Sequence, residues 1–485
     1  MLEANDKDGR TPFLLAVNEG SMETMKVLIK HGCRVDAVDQ NLKSAIYLAV
    51  NGNHMEILKE LIQMPQLLNL IDKADVKNYT PLHVAAKSGF EEANLILLAS
   101  RADALCKTET DDTPLHLACE KGKEAVAKLL MESLPSMANI INEDGNTPLH
   151  KAAKNGHTNC VEILLDLGAD VHRRNLDKMS ALDCAAAEGH LKTIKLLVRN
   201  GAEINNQEVT KNTPIHHACK NGRPAVVELL LKYNADPTLP SSFGENKLIS
   251  NGSNALDIAI ECGNSLTARA ILRSNDWIAA MKNRTETETG YWDTPLRKLI
   301  RHMPTYGCAN KCYSPDLALE VFGKCISTNG EHPDNPDFII TYNFELLDDT
   351  YAQWPKHSLR RGEGGPHGLR ERFDSFVFMG SNKSTYQAVN SSDDIYDEYG
   401  RVLPSVHPYS ENKENTIANH PLKVMVTSGR EELLAHKLVK GLLKEKWDNL
   451  GITAYILNLL IYVVFLILMT YFMLSSLSPY QYSYT

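Results

Sequence analysis

The sequence has no excess of basic charge: 51 Lys and Arg stand against 60 Asp and Glu, a formal net charge of −9. That balance argues against a nucleic-acid partner, which needs a basic face. The motifs that place a cofactor or a nucleophile are also missing. There is no G-x-G-x-x-G, no P-loop, no H-E-x-x-H and no G-x-S-x-G. Neither an enzyme nor a cofactor is therefore expected. Cysteine is sparse, ten residues in 485, too thinly spread for a disulfide framework. Cys308 and Cys312 with His302 nearby do not make a four-ligand zinc pattern, so no metal is expected. The first six residues, Met1 to Asp6, are polar and acidic and do not read as a secretory signal. The bulk of the chain is expected to face a reducing cytosol, without disulfides. One absence is positive evidence: Gly451 to Thr485 contains no charged residue at all.

What is present, above all, is repetition. Thr80-Pro81-Leu82-His83-Val84-Ala85 recurs as Thr113-Pro114-Leu115-His116-Leu117-Ala118, as Thr147-Pro148-Leu149-His150-Lys151-Ala152, and as Thr213-Pro214-Ile215-His216-His217-Ala218. With weaker copies included, the phrase begins at Thr11, Ser44, Thr80, Thr113, Thr147, Ser180 and Thr213, in steps of 33, 36, 33, 34, 33 and 33 residues. The phrase and its period are similar to those of the ankyrin repeat. An eighth copy begins at Asn254, after an insertion rich in Ser, Gly and Asn at 238–253. A ninth, from Thr294, has lost its His and Ala and runs into Pro304; it reads as a degenerate closing unit.

Each letter of the phrase has a mechanical reason. Thr caps a helix by accepting a backbone N–H, and Pro pre-sets the first turn. Leu and Ala face the stack. Gly89, Gly122, Gly156, Gly189 and Gly222 end the first helix by entering left-handed backbone cheaply. A second apolar helix follows, and the histidines are expected to hydrogen-bond within their own repeat turns. The first repeat, with Phe13, Leu14, Leu15, Ala16 and Val17, lacks the polar outer face of a capping unit. Further repeats are expected upstream of it.

The reading is mainly α: an ankyrin-repeat solenoid, then a mixed linker with short strands, then one C-terminal transmembrane helix. About eight repeats fill 1–276, and a closing repeat with a helical segment fills 277–330. A pre-membrane linker fills 331–450. Within it, Phe338, Ile340, Tyr342, Phe344 and Leu346 alternate with polar or edge residues, which predicts a strand over 337–347. Residues 355–420, rich in Gly, Pro, Ser, Asn and charge, are expected to be mobile loops. Leu422 to Val426 reads as a second short strand, and Glu431 to Lys446 as an amphipathic helix. The 451–476 segment is long enough to cross a lipid bilayer, about 30 Å of hydrocarbon. Lys437, Lys440, Lys444 and Lys446 precede it and no Lys or Arg follows. The positive-inside rule then places the repeats in the cytoplasm and the 477–485 stub outside.

The order of these segments resembles a known family. An ankyrin array leads into Thr294-Pro295-Leu296-Arg297-Lys298-Leu299-Ile300-Arg301-His302-Met303-Pro304. Then come Tyr342-Asn343-Phe344, His420-Pro421-Leu422, Glu432-Leu433-Leu434-Ala435-His436-Lys437, and Lys446-Trp447 before the apolar run. This resembles the N-terminal part of the ankyrin-type transient receptor potential (TRPA) cation channels, ending after the first membrane helix. The resemblance implies a sensing and coupling arm of a non-selective, calcium-permeable channel in the plasma membrane. It also implies a homotetramer in the full-length channel and protein partners on the ankyrin surface. The resemblance further implies reactive cysteines between stack and membrane, where Cys308, Cys312 and Cys325 lie. Lys311 and Lys324 adjoin two of them and would favour the thiolate. The alternative is that these three are small packing residues. Cys119, Cys219 and Cys262 read as packing residues of the repeats. The rival to the channel arm is a single-pass, membrane-anchored ankyrin scaffold that binds proteins and conducts nothing.

Overall fold

The computed structural model describes residues 2–206, 211–241, 252–286, 292–302, 316–328, 339–343, 346–347, 375–379, 387–389, 420–446, 456, 459–460 and 463–469. The chain divides into two compact units, Met1–Ala280 and Met281–Thr485.

Among the described residues the first unit contains eight helix pairs. They are α1 Pro12–Asn18 with α2 Met22–Lys30, α3 Ala45–Asn51 with α4 Met55–Ile62, and α5 Pro81–Ser88 with α6 Glu91–Ala99. Next come α7 Pro114–Glu120 with α8 Glu124–Ser133, α9 Pro148–Lys154 with α10 Thr158–Asp166, and α11 Ala181–Glu188 with α12 Leu191–Arg199. The last are α13 Pro214–Lys220 with α14 Pro224–Lys232, and α15 Ala255–Glu261 with α16 Ser265–Leu272. The N-caps of the eight first helices are the phrase residues: Thr11, Ser44, Thr80, Thr113, Thr147, Ser180, Thr213 and Asn254, all in extended backbone. Thr11 Oγ1 accepts from Leu14 N–H at 3.3 Å and Ser44 Oγ from Tyr47 N–H at 3.3 Å. Such caps contribute about 1 kcal/mol each and fix where a short helix begins.

First helices pack on first helices and second on second along the array. The phrase leucines Leu82, Leu115, Leu149 and Leu182 are at most 1% exposed, and Ala85, Ala118, Ala152, Ala185 and Ala218 are fully buried. Alanine lets neighbouring helices approach, while each buried leucine contributes about 1.5–3 kcal/mol. The core is therefore a continuous seam running between repeats.

The second unit begins within a short helix, α17 Trp277–Met281, that spans the boundary. A two-stranded hairpin follows, β1 Thr285–Glu286 with β2 Trp292–Asp293, then α18 Pro295–His302 and α19 Leu317–Lys324. The ninth phrase thus does form a helix, with Arg297 N–H on Thr294 Oγ1 at 3.5 Å, but it lies in the second unit. An antiparallel sheet runs in sequence order: β3 Ile326–Thr328, β4 Ile339–Asn343, β5 Ser375–Met379 and β6 Gln387–Val389. Thr341 pairs with Val377 and Phe376 with Ala388. Three more helices follow, α20 Pro421–Thr427, α21 Glu431–Leu434 and α22 Lys437–Lys446.

Several expectations need correction. Of the strand expected at 337–347, Ile339–Asn343 forms β4, residues 337–338 and 344–345 lie outside the described residues, and Leu346 and Leu347 are buried in a turn rather than in the strand. The 355–420 stretch contains two strands, β5 and β6, rather than loops alone. Ser375-Phe376-Val377-Phe378-Met379 has the β-branched and aromatic content of a strand; the polar flanks hid it. Leu422 to Val426 is helical, not a strand. His420 caps it by accepting from Leu422 N–H at 3.2 Å, and Pro421 sits at its first position. The helix expected over 431–446 is two helices, because His436 Nδ1 accepts from Leu438 N–H at 3.3 Å and restarts the chain. Most of the membrane-spanning helix expected at 451–476 lies outside the described residues; 456, 459–460 and 463–469 are helical and exposed. Among the described residues, no helix is long and apolar enough to cross a membrane.

Candidate functional site

The repeated histidines sit on one side of the array, between each first helix and the hairpin of the next repeat. His83 Nδ1 accepts from Thr80 N–H at 3.1 Å and lies 2.9 Å from Thr80 Oγ1; Nε2 donates to the Asp112 carbonyl at 3.0 Å. His116, His150 and His216 repeat this with the carbonyls of Asn146, Met179 and Leu239, at 3.0, 3.0 and 2.9 Å. The expectation of bonds within each repeat turn therefore covers only half of the contacts. The other half ties each repeat to the next. Because Nδ1 accepts, Nε2 carries the proton and the ring is neutral. Burial pushes His83, His116 and His216 down to about 4. In the second repeat the histidine is replaced by Tyr47, whose hydroxyl donates to Asp75 Oδ2 at 2.9 Å and keeps the link.

A second ladder runs along the opposite ends of the first helices. His54, His157 and His190 each donate through Nε2 to a carbonyl of the preceding first helix: Asn18, Glu120 and Lys154, at 3.0, 3.0 and 2.9 Å. Asn264 Nδ2 does the same with Cys219 at 2.8 Å. The carbonyls of Asn18, Glu120 and Lys154 are ends that a helix leaves without an intrahelical partner. Asn264 reaches the equivalent Lys220 carbonyl at 3.1 Å, while the Cys219 carbonyl also accepts from Gly222 N–H at 3.3 Å. The glycines make room for these caps. A Cβ on Gly156 would lie 2.4 Å from His190 Nδ1, and one on Gly122 would lie 2.5 Å from His157 Nδ1. The left-handed role expected of Gly156 holds too, at φ +74°. Sequence reasoning missed this ladder, although His157 and His190 both follow a glycine and recur 33 residues apart.

These ladders fix a face made of first helices and hairpins. Across the second to fourth repeats, Tyr47, Asn51, Tyr79, Val84, Lys87, Ser88, Lys121 and Lys123 line a groove of about 500 Å³. Lys87 Nζ lies 5.2 Å from the centroid of the Tyr79 ring, and Lys43 Nζ lies 5.3 Å from that of Tyr47. Glu120 is held by Lys121 at 2.9 Å and by Lys151 at 3.4 Å. Lys151 also reaches Asp112 at 3.5 Å. Such a face supplies fixed charges and aromatic surface to a partner. Among the described residues no cluster of His, Cys, Asp or Glu is arranged to hold a metal ion.

The cysteines divide. Cys308 and Cys312 lie outside the described residues. Cys325 is 6% exposed at the C-terminal end of α19, and its carbonyl accepts from Asn343 N–H at 2.8 Å. That burial is not the exposure an electrophile sensor requires. In the repeats, Cys119 and Cys219 are fully buried and Cys262 is half-buried. Burial pushes Cys160 up to about 11 and Cys106 and Cys184 up to about 12, and Cys119 and Cys219 are pushed up as well. These thiols are held protonated and unreactive.

The model of ankyrin repeats in three copies matches residues 2–72, 56–139, 93–175, 135–208 and 182–283, together more than half of the chain. The chain belongs to the ankyrin-repeat family. It is 27% identical over 490 aligned residues to a transient receptor potential cation channel subfamily A member 1 homolog of Caenorhabditis elegans. That alignment covers 99% of this chain and 31% of the relative. It is 30% identical over 169 residues to the human transient receptor potential cation channel subfamily A member 1, covering 34% of this chain and 15% of that protein. Human NF-kappa-B inhibitor alpha is 39% identical over 98 residues, 19% of this chain and 31% of that one. The chain spans less than a third of the length of each of these relatives. The solved ankyrin repeat domain of Bcl-3 aligns with 47% of this chain and all of that one, at 24% identity and a TM-score of 0.40.

Proposed function

We propose that this chain is the cytoplasmic ankyrin arm of a TRPA-like cation channel subunit, with the coupling segment and first membrane helix that follow it. One observation carries the reading. The similarity to the worm channel homolog extends over 99% of the chain, through the second unit as well as the repeats. Ankyrin repeats alone would match only as far as residue 283. The repeats are then a stiff, protein-binding lever, because each is tied to its neighbour by the two histidine ladders as well as by the apolar seam. The second unit is the element between that lever and the membrane. In this reading the arm is not an enzyme, the channel is a homotetramer in the plasma membrane, and residues 451–476 form its first span. Cys308, Cys312 and Cys325 remain the candidates for a chemical trigger, with Cys325 needing an opening of α19 to react.

The similarity to NF-kappa-B inhibitor alpha within the repeats favours a second reading, a membrane-anchored scaffold that binds proteins. Sequencing the transcript beyond the codon for Thr485 separates the two. Further hydrophobic spans and a pore segment are expected for the channel arm; a stop codon directly after Thr485 would favour the scaffold.

A further inference from the structure

The groove across the second to fourth repeats carries more information than a generic binding face. Its walls are the ring of Tyr47, the ring of Tyr79 and the methyls of Val84, and its rim is cationic. Lys87 is exposed at the end of α5 and stacks on Tyr79. Lys123, the residue just before α8 in the next repeat, reaches the same place for a steric reason. A Cβ on Gly89 would lie 2.6 Å from Lys123 Cδ, so the lysine stem lies across the glycine at the end of α5. Two ammonium groups from different repeats are thereby brought to one groove. Lys43 flanks the same groove on Tyr47. The nearby acid Glu120 is already engaged by Lys121 and Lys151, and the Asp75 carboxylate accepts from Tyr47. Among the described residues Lys43, Lys87 and Lys123 form no ion pair with a carboxylate.

The surroundings select the shape of the anion that fits. The hairpins of the fourth and fifth repeats expose Glu109, Glu143 and Asp144, and the whole chain carries a net charge of −9. A broad anionic surface, such as a bilayer or a nucleic-acid duplex, would face those exposed carboxylates as well as the lysines and be repelled by them. A single extended peptide strand would not. Aromatic walls under ammonium groups suit a chain whose acidic side chains alternate with apolar ones.

From this arrangement we infer that the groove formed by Tyr47, Tyr79, Lys87 and Lys123 docks an extended acidic peptide segment of a partner protein. The inference rests on the protein-binding part of the proposed function and is independent of ion conduction. The test therefore uses the purified full chain, with no current recorded. A fluorescent peptide alternating Glu with Leu is titrated by polarisation, against an analogue alternating Gln with Leu. Saturable binding of the acidic peptide is expected, weakened at least about tenfold by the analogue's loss of charge and several-fold by raising salt to about 0.3 M, where charges are screened within about 5–6 Å. Lys87→Glu and Lys123→Glu should each weaken binding about tenfold, and Lys195→Glu on the distant α12 should leave it unchanged. Circular dichroism melts establish that each variant is folded; Lys87→Gln replaces Lys87→Glu if the charge reversal unfolds the repeat. A peptide alternating Lys with Leu should bind the doubly reversed variant, which a merely structural role for the lysines would not produce. Equal loss with Lys195→Glu, binding of the Gln peptide as tight as that of the Glu peptide, or stronger binding of phosphatidylserine vesicles or duplex DNA would overturn the inference.

Discussion

Single residues in this chain do two jobs where the repeat phrase suggests one. Each phrase histidine caps its own helix and also clamps the next hairpin, so removing one should be felt across a repeat boundary. His150→Ala leaves the buried Thr147 N–H without its acceptor and takes one of two donors from the Met179 carbonyl, which keeps Asn175 N–H at 3.0 Å. Leaving buried groups unpaired costs about 1–3 kcal/mol, and a denaturant titration should read that loss. The same histidines set an acid limit. Their folded values lie near 4 for His83, His116 and His216, below the usual value near 6.5 for the unfolded chain. Between those values the unfolded state binds more protons, so stability is complete above about pH 6.5 and is lost progressively as pH falls toward 4. Melting temperature should drop between pH 7 and pH 5, and the drop should shrink when one of these histidines is replaced by Gln. A flat profile would mean that the rings are not buried neutral groups.

The glycines after the first helices show the same doubling. Gly156→Ala must hold φ +74° and also place a methyl 2.4 Å from the ring of His190. The two costs separate in a double-mutant cycle. If the clash is real, Gly156→Ala should destabilise less in a His190→Ala background, with a coupling of about 0.5–3 kcal/mol. Strict additivity would leave only the backbone term.

At the scale of elements, the array and the second unit hold together in different ways. Leu149→Ala should cost about 2–5 kcal/mol, and hydrogen exchange should rise only in the repeats beside α9, because solenoid stability is a nearest-neighbour property. A uniform rise along the first unit would contradict the stack. In the second unit, Arg430 is 7% exposed, ion-paired with Asp316, and donates through Nη1 to the Ile300 carbonyl at 2.9 Å. It pins α18, the start of α19 and the start of α21 together. Phe322 of α19 packs on His436 beside them, the rings 5.5 Å apart. Arg430→Ala should cost about 3–5 kcal/mol by stranding Asp316, and Arg430→Met with Asp316→Leu should cost less than the single change. Thermal melts of the two variants settle that order.

The elements also mark what was legible in the sequence. Helix starts were, because Thr-Pro and its Ser and Asn substitutes are local chemistry that one residue enforces. The 33-residue spacing carried the stacking of the repeats. The second unit was harder. Leu422 to Val426 has the β-branched content of a strand, yet His420 and Pro421 start a helix there. The strand β5 is recognisable by its own residues but sits among polar loops that point the other way. The groove had no periodic signature, because Tyr47, Tyr79, Lys87 and Lys123 occupy different positions of their repeats. Only the stacking brings them together. Of the cysteines singled out, Cys325 occupies a buried helix end, and a lysine next to it in sequence was no guide to its exposure.

At the scale of the whole molecule, an ankyrin stack and a second unit of mixed helix and sheet precede an uncharged C-terminal run. The order matches the similarity to the worm channel homolog along 99% of the chain. A reporter at the N-terminus should be cytosolic and one after Thr485 external, since lysines flank only one side of the uncharged run. Protease protection that placed both ends on one side would remove the membrane helix from the account. The central claim is that this arm belongs to a cation channel, and whole-cell recording from cells expressing the complete transcript tests it most directly. The account predicts a non-selective cation current, evoked by an electrophile or a temperature step and absent from mock-transfected cells. A product that reaches the surface, keeps its repeats folded and passes no current under any of these stimuli would contradict it.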